Sequence, residues 1–205
     1  MMKMVLLLAC AGHVLCGICD CLLGYSPRGR LDLKSALKDP EKMRTTFEDM
    51  PLNWPLISIL LGVYAITAFG FGYLGLSRWM EDYSKTASVI MYISAVVFLI
   101  SIVVHHIICG LVEWLYVRMG RTDEAREVAL EFQKKTIATM FVGYLGLAVF
   151  VITLFVMVVT GRTTLPVWAC IFNTLPLMLL LSVTKLPAKG NIAGAIMYLG
   201  LFVLL

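Results

Sequence analysis

Two segments of the chain carry the same spaced set of reactive side chains. Residues 13–20 read His-Val-Leu-Cys-Gly-Ile-Cys-Asp, and residues 106–113 read His-Ile-Ile-Cys-Gly-Leu-Val-Glu. In an α-helix, positions seven apart differ by about 20° around the axis and about 10.5 Å along it, so the His and the acid share a face without touching. Each pair therefore needs partners from other helices.

The first interpretation of this pattern is a metal site. Two imidazoles and two thiols at one depth are ligand types that zinc and copper accept. The ligands would be His13, Cys16, His106 and Cys109. Zinc is the cofactor that this interpretation implies.

The second interpretation is a proton or ion pathway, and it is the leading functional hypothesis. Imidazoles titrate near neutral pH, and an ionisable group inside a membrane costs free energy unless it is paired or hydrated. We therefore expect an interior polar site that is built from His13, Asp20, His106 and Glu113. His105 adds a third imidazole about 100° around the helix from His106.

Two further interpretations stay open. One is a metal-dependent or lipid-modifying intramembrane enzyme that uses Ser101 with the His and Asp side chains. The other is a structural protein in which the polar residues are buried struts that set helix register. No Walker loop, dinucleotide fingerprint, nucleophile elbow or HExxH pattern occurs in the sequence. The pattern assigns no substrate and no oligomeric state, and on balance it favours a protein that is not an enzyme.

The composition predicts that these residues lie in membrane helices. Hydrophobic residues make up 60% of the chain, charged residues make up 15%, and the mean hydropathy is +0.89. A soluble domain of this composition would expose a large apolar surface, whereas lipid removes that difficulty. The net charge of +4 comes with no basic, aromatic-interleaved patch, so we expect membrane lipids rather than nucleic acid as partners.

Uncharged blocks long enough to cross a bilayer predict a single all-α transmembrane domain over residues 1–205, a polytopic bundle of about six helices. The predicted helices are residues 4–24, 54–77, 87–117, 136–160, 164–184 and 191–205. Asn173 and Pro176 predict a kink in the fifth. We interpret the N-terminal segment as a retained helix rather than a signal peptide, because its apolar run continues to Leu23.

The basic residues predict the orientation of the bundle. On one side lie only Lys3, Arg78, Lys85 and Arg162, and the remaining 13 of the 17 Lys and Arg residues fall on the other side. Cytoplasmic loops retain Lys and Arg, so the N-terminus is expected outside.

The sequence also makes predictions about two loops and about the state of the cysteines. The first loop is interpreted as a solvated connector, with a surface helix over Leu31, Leu33, Leu37, Met43 and Phe47 as the alternative. Thr122 is predicted to cap a helix that begins near Asp123 and pairs Glu131 with Lys135. The six cysteines lie in apolar segments, which is typical of free thiols rather than of a secreted disulfide framework.

Three stretches carry a resemblance to a known family. They are Cys19-Asp20-Cys21-Leu22-Leu23-Gly24-Tyr25, His105-His106 and Leu186-Pro187-Ala188-Lys189-Gly190-Asn191. With these stretches the chain resembles a family of uncharacterised multi-pass membrane proteins, mostly bacterial. The resemblance implies the helical architecture, a role for Asp20 and the His pair, and a bacterial cytoplasmic membrane as the location.

Overall fold

The computed structural model describes residues 2–31 and 38–205 of the chain, and this part is mostly helical. The α-helices are α1 (Met2–Gly24), α2 (Pro40–Phe47), α3 (Asn53–Met80), α4 (Lys85–Arg118), α5 (Asp123–Thr136), α6 (Ala138–Val159), α7 (Thr174–Ser182) and α8 (Lys189–Leu204). A 3-10 helix covers Val167–Phe172, and a two-stranded hairpin pairs β1 (Tyr25–Ser26) with β2 (Gly29–Arg30). The expected all-α fold class is confirmed.

Four helical segments are long and apolar enough to cross a membrane. They are α1, α3, α4 and the nearly continuous run of α5 and α6 from Asp123 to Val159. The last helix, α8, is apolar but shorter, with 16 residues. Long apolar helices therefore support an integral membrane protein, while four rather than six elements meet the length criterion among the described residues.

The predicted continuous helix over residues 164–184 is wrong. Its first part is the 3-10 helix, Asn173 is extended, and α7 contains only nine residues. The Asn173 side chain causes the break, because its oxygen accepts a hydrogen bond from the Leu175 amide at 2.9 Å while its amide donates to the Val151 carbonyl at 2.9 Å. Pro176 then lies in the first turn of α7, where no backbone N–H is needed.

The helices pack in an order that separates the two motif helices. α1 lies along α3 on one side and α8 on the other, while α4 lies between α3 and α6. α1 and α4 therefore make few contacts with each other, and α3 lies between them along most of their length. Any polar connection between the two motifs must pass the edge of α3.

Aromatic side chains fill the core between these helices. Tyr73 of α3 packs edge-on against Phe98, Phe150 and Tyr198, with ring centroids 4.9–5.4 Å apart. Phe69 lies one turn from Tyr73 and stacks against Phe98. The cluster contributes dispersion and edge-to-face attraction, which are major sources of cohesion when lipid replaces water.

At the hairpin end of the molecule, the first loop packs against α4 and the connection that follows it. The short helix α2 buries Met43 and Phe47 against α4, so this part of the first loop packs on protein; Leu33 and Leu37 lie outside the described residues. Arg121 donates hydrogen bonds to the Phe47 carbonyl at 2.7 Å and the Met50 carbonyl at 3.3 Å. The loop is thus tied to the connection between α4 and α5.

The start of α5 is as predicted. The Thr122 hydroxyl accepts a hydrogen bond from the Ala125 amide at 3.2 Å, and the helix begins at Asp123. Lys135 and Glu131 form an ion pair. The capping residue and the following charges thus define this helix start from local sequence alone.

Candidate functional site

His13 lies in the middle of α1 inside an aromatic cage. Its ring stacks on Phe69 with centroids 4.2 Å apart and an interplanar angle of 6°, and Tyr198 lies on the other side at 5.6 Å. A Cβ atom at Gly194 would fall 2.5–2.7 Å from the imidazole. Only a residue without a side chain leaves room for the ring at this crossing of α1 and α8.

Both nitrogens of His13 have partners. Nδ1 is 2.9 Å from the Asn191 side-chain oxygen, and Nε2 is 3.4 Å from the Tyr73 hydroxyl. The amide oxygen only accepts, so Nδ1 carries the hydrogen that is donated to Asn191. The His13 ring is thus held at both nitrogens by groups from α3 and α8.

Asn191 connects His13 to the acid on the same helix. Its amide nitrogen donates to Oδ2 of Asp20 at 2.7 Å while its oxygen accepts from His13. Asn191 is in the first turn of α8, which lies beside Gly17 of α1 at a distance that would still admit a Cβ atom on Gly17. The seven-residue spacing of His13 and Asp20 is therefore bridged by one amide from another helix.

Asp20 continues the connection to α4. Its Oδ1 is 3.7 Å from Nδ1 of His106, and Nε2 of His106 lies 3.1 Å from the Ser58 carbonyl and 3.3 Å from the Ser58 hydroxyl. The Ser58 hydroxyl itself donates to the Cys19 carbonyl at 2.9 Å. A Cβ at Gly62 would fall 2.1 Å from Nε2, so this imidazole also lies against a glycine.

These side chains form one interior polar network. Its members are Tyr73, His13, Asn191, Asp20, His106 and Ser58. Both ends lie on α3, and from Ser58 to Tyr73 the helix rises about 22 Å. This rise is measured between backbone positions, whereas His13 and Asp20, which Asn191 bridges, are about 10.5 Å apart along α1.

Asp20 and His106 lie 3.7 Å apart, beyond hydrogen-bond distance, so their contact is electrostatic. The Ser58 carbonyl only accepts hydrogen bonds, so Nε2 of His106 carries a hydrogen. The contact between Nδ1 and Asp20 is then favourable with a single proton, either as imidazolium with carboxylate or as imidazole with carboxylic acid. Both arrangements have no net charge, which is the least costly state in a membrane interior.

Two of the predicted site residues lie outside the network. Glu113 has a buried side-chain oxygen, Oε2, that has no hydrogen-bond partner among the described residues. His105 points to α6, where Nδ1 is 3.2 Å from the Thr139 hydroxyl, and its Nε2 is 3.5 Å from the Cys109 sulfur. The structure thus brings together His13, Asp20 and His106 and places Glu113 and His105 elsewhere.

The four residues proposed as metal ligands are not brought together. Cys109 lies beside His105 rather than His106, and Cys16 is buried in the main apolar core; both are free thiols. Within residues 2–31 and 38–205, no group of three or more His, Cys, Asp and Glu side chains has a geometry that could hold a metal ion. The nitrogens of His13 are already occupied by Asn191 and Tyr73.

Sequence reasoning missed three members of the network and the two glycines that accommodate the imidazoles. Ser58 and Asn191 are polar residues in or next to apolar blocks, and that was a usable signal for both. Tyr73 lies within an apolar block and has no local signal that separates it from the other aromatic residues there. Gly62 and Gly194 have no distinguishing local pattern, because their role depends on side chains far away in the sequence.

Comparison with known proteins gives a family match. The model of a family of unknown function, DUF6796, matches residues 1–204. No curated protein and no solved structure matches the chain. The matched range contains every residue of the interior polar network, so the function has to be inferred from the geometry of that network.

Proposed function

We propose that this chain, which belongs to the family of unknown function DUF6796, is a proton-coupled membrane protein in which Asp20 and His106 share the coupling proton. The supporting observation is the contact of Asp20 with Nδ1 of His106 at 3.7 Å, in a network where His13, Ser58 and His106 are buried and Asp20 and Asn191 are partly buried. Adding a proton to this pair, or removing one, creates a net charge in a poorly hydrated place. Such a pair therefore responds to proton supply with a large change in local energy.

Asn191 transmits the change of charge. An amide does not titrate near neutral pH, so Asn191 does not itself pass a proton from Asp20 to His13. It donates to the Asp20 carboxylate at 2.7 Å, and this charge-assisted hydrogen bond weakens when Asp20 is neutralised. Protonation of Asp20 thus loosens the attachment of α8 to α1, and the first turn of α8 becomes the moving part.

The bundle is proposed to cross the membrane about six times, with the N-terminus outside. The four long apolar helices supply four crossings, α8 supplies another, and the broken segment from the 3-10 helix through α7 completes the sixth. The basic residues near the hairpin and α5 favour a cytoplasmic location for that end. A bacterial cytoplasmic membrane is the proposed location.

Proton movement in liposomes tests the proposal. The purified chain is reconstituted in vesicles that contain a trapped pH-sensitive dye, and an inward potential is imposed with potassium and valinomycin. We expect acidification faster than in protein-free vesicles, because the Asp20–His106 pair exchanges protons with both sides. Asp20→Asn is expected to reduce the rate to the protein-free level, since it leaves no titrating carboxyl beside His106.

Glu113→Gln is the matched control, because it also removes one carboxylate from a predicted membrane helix but lies outside the network. Its rate should equal that of the unchanged chain. Equal rates for Asp20→Asn and the unchanged chain would contradict the proposal, as would vesicles that acidify no faster than protein-free ones. The second outcome would favour the interpretation of the network as structural struts.

A second candidate function has one specific observation in its favour. Ser58, His106 and Asp20 follow each other as hydroxyl, imidazole and carboxylate, which is the order of a serine hydrolase triad. Against this, Ser58 is fully buried and its hydroxyl donates to the Cys19 carbonyl rather than to His106. The expected Ser101 is not part of this arrangement.

Labelling with a fluorophosphonate separates the two functions. A hydrolase would be labelled in detergent and would lose the label in Ser58→Ala but not in Ser101→Ala. We expect no labelling of Ser58, because a buried hydroxyl that donates to a carbonyl is neither accessible nor activated.

A further inference from the structure

A groove opens between α3 and α4 at the end of the molecule opposite the hairpin. It has a volume of about 600 Å³ and is lined by two sets of residues at helical spacing: Leu74, Ser77 and Arg78 of α3 with Glu81 directly after its end, and Lys85, Ser88, Val89 and Tyr92 of α4. Residues spaced by three, four and seven positions lie on one face of a helix. The groove is therefore built by one face of each helix, next to the loop that joins them.

The charged part of the groove lies at its loop end. Arg78 is in the last turn of α3 and Lys85 begins α4, with Glu81 between them. Among the ion pairs found between described residues, none involves these three side chains. The lining of the groove at this end thus carries two positive groups and one negative group, while Asp82, which lies outside the lining, follows Glu81 in the exposed loop.

The other end of the groove is apolar and open. Val89 is 55% exposed and Tyr92 is 52% exposed, and Leu74 lies opposite them on α3. From Lys85 to Tyr92 the helix rises about 10.5 Å, so the apolar wall runs from the water interface into the hydrocarbon region. An apolar surface at this depth is in contact with acyl chains.

We infer that this groove binds a phospholipid with a net negative headgroup, whose phosphate lies between Arg78 and Lys85 and whose acyl chain lies along Leu74, Val89 and Tyr92. Charge complementarity selects the headgroup, because guanidinium and ammonium groups bind phosphate oxygens strongly. Glu81 disfavours a second negative charge and can accept a hydrogen bond from a headgroup hydroxyl. The inference depends on the membrane location of α3 and α4 and not on proton coupling.

Native mass spectrometry of the purified chain tests the site. The chain is released from maltoside micelles after equilibration with phosphatidylglycerol or phosphatidylcholine of identical acyl chains. We expect preferential retention of phosphatidylglycerol. The double variant Arg78→Gln/Lys85→Gln should bind it about thirtyfold more weakly, since each of the two basic groups near a lipid headgroup contributes on the order of 1 kcal/mol.

Two controls make the result specific. Lys3→Gln/Arg162→Gln removes the same number of positive charges from the same predicted side and should leave binding unchanged. Glu81→Gln should strengthen phosphatidylglycerol binding, an effect of opposite sign that misfolding cannot produce. Equal loss in both double variants, or equal retention of the two lipids, would overturn the inference. Displacement of the lipid by millimolar inorganic phosphate alone would show a site for soluble anions and would overturn the assignment to a lipid.

Discussion

The motif in α1 and the motif in α4 have the same residue pattern, but they contribute differently to the interior. In α1, His13 and Asp20 both enter the interior polar network and are bridged by Asn191. In α4, His106 enters the network, whereas Glu113 has a buried oxygen without a partner among the described residues. Both imidazoles lie against glycines of neighbouring helices.

The difference shows that the neighbours decide the role of a membrane carboxylate. Both acids follow a histidine by seven residues and share its helix face. Only the acid of α1 has an amide from α8 and an imidazole from α4 within reach. A repeated motif therefore marks positions where polar groups are present, while the packing of other helices determines which of them become a site.

The largest difference in stability between the two motifs is expected when the carboxylate of each is replaced by an amide. Asp20→Asn leaves His106 and the Asn191 amide without their anionic acceptor, and we expect it to lower the free energy of unfolding by about 2.5 kcal/mol, below the about 3–5 kcal/mol of a fully buried pair because the Asp20 side chain is 37% exposed. Glu113→Gln should change it by less than about 0.5 kcal/mol or stabilise the protein, because a buried carboxylate oxygen without a partner is unfavourable. Unfolding in mixed maltoside and dodecyl sulfate micelles, followed by circular dichroism, measures both. Equal losses would show that Glu113 has a partner of equal importance.

Replacing the glycine of each motif by alanine should also affect the two motifs differently, with smaller changes in the free energy of unfolding. A Cβ at Gly110 would fall 2.5 Å from the Ile59 side chain and 3.2 Å from the Pro55 carbonyl, whereas a Cβ at Gly17 would be no closer than 3.5 Å to Asn191. Gly110→Ala is therefore expected to destabilise the fold by about 2 kcal/mol through overpacking. Gly17→Ala should be neutral or stabilising by about 0.5 kcal/mol, since alanine favours the helix. The same unfolding assay applies, and a destabilised Gly17→Ala would mean that α8 lies closer to α1 than the structure shows.

Local features of the sequence accounted for much of the fold. Uncharged blocks located the long helices, Thr122 located the start of α5, and the seven-residue spacing placed His13 and Asp20 on one face. The break at Asn173 followed from a side-chain cap that competes with helix continuation, a local signal that was read only as a kink.

The contacts within the network were harder to predict from the sequence than the helices were. Asn191 reaches Asp20 across 171 positions of the chain, and no local pattern indicates that contact. The glycines beside the imidazoles are likewise recognised only when α1, α3, α4 and α8 are assembled. Sequence periodicity gives the face of a helix, whereas the partner of that face depends on tertiary packing.

The adjacent histidines of α4 allow the finest test of the comparison between the two motifs. His105 contacts the Thr139 hydroxyl of α6 at 3.2 Å, while His106, about 100° around the helix, faces Asp20 and Ser58. Thr139→Val removes the hydroxyl with little change in volume, and an interhelical hydrogen bond in a membrane contributes about 0.6 kcal/mol on average. We expect a loss of that size in the unfolding assay and an unchanged proton flux in liposomes, because α6 supplies no member of the network. A reduced flux would extend the network through His105 to α6 and would make α4, rather than α1, the helix that carries the longer polar path.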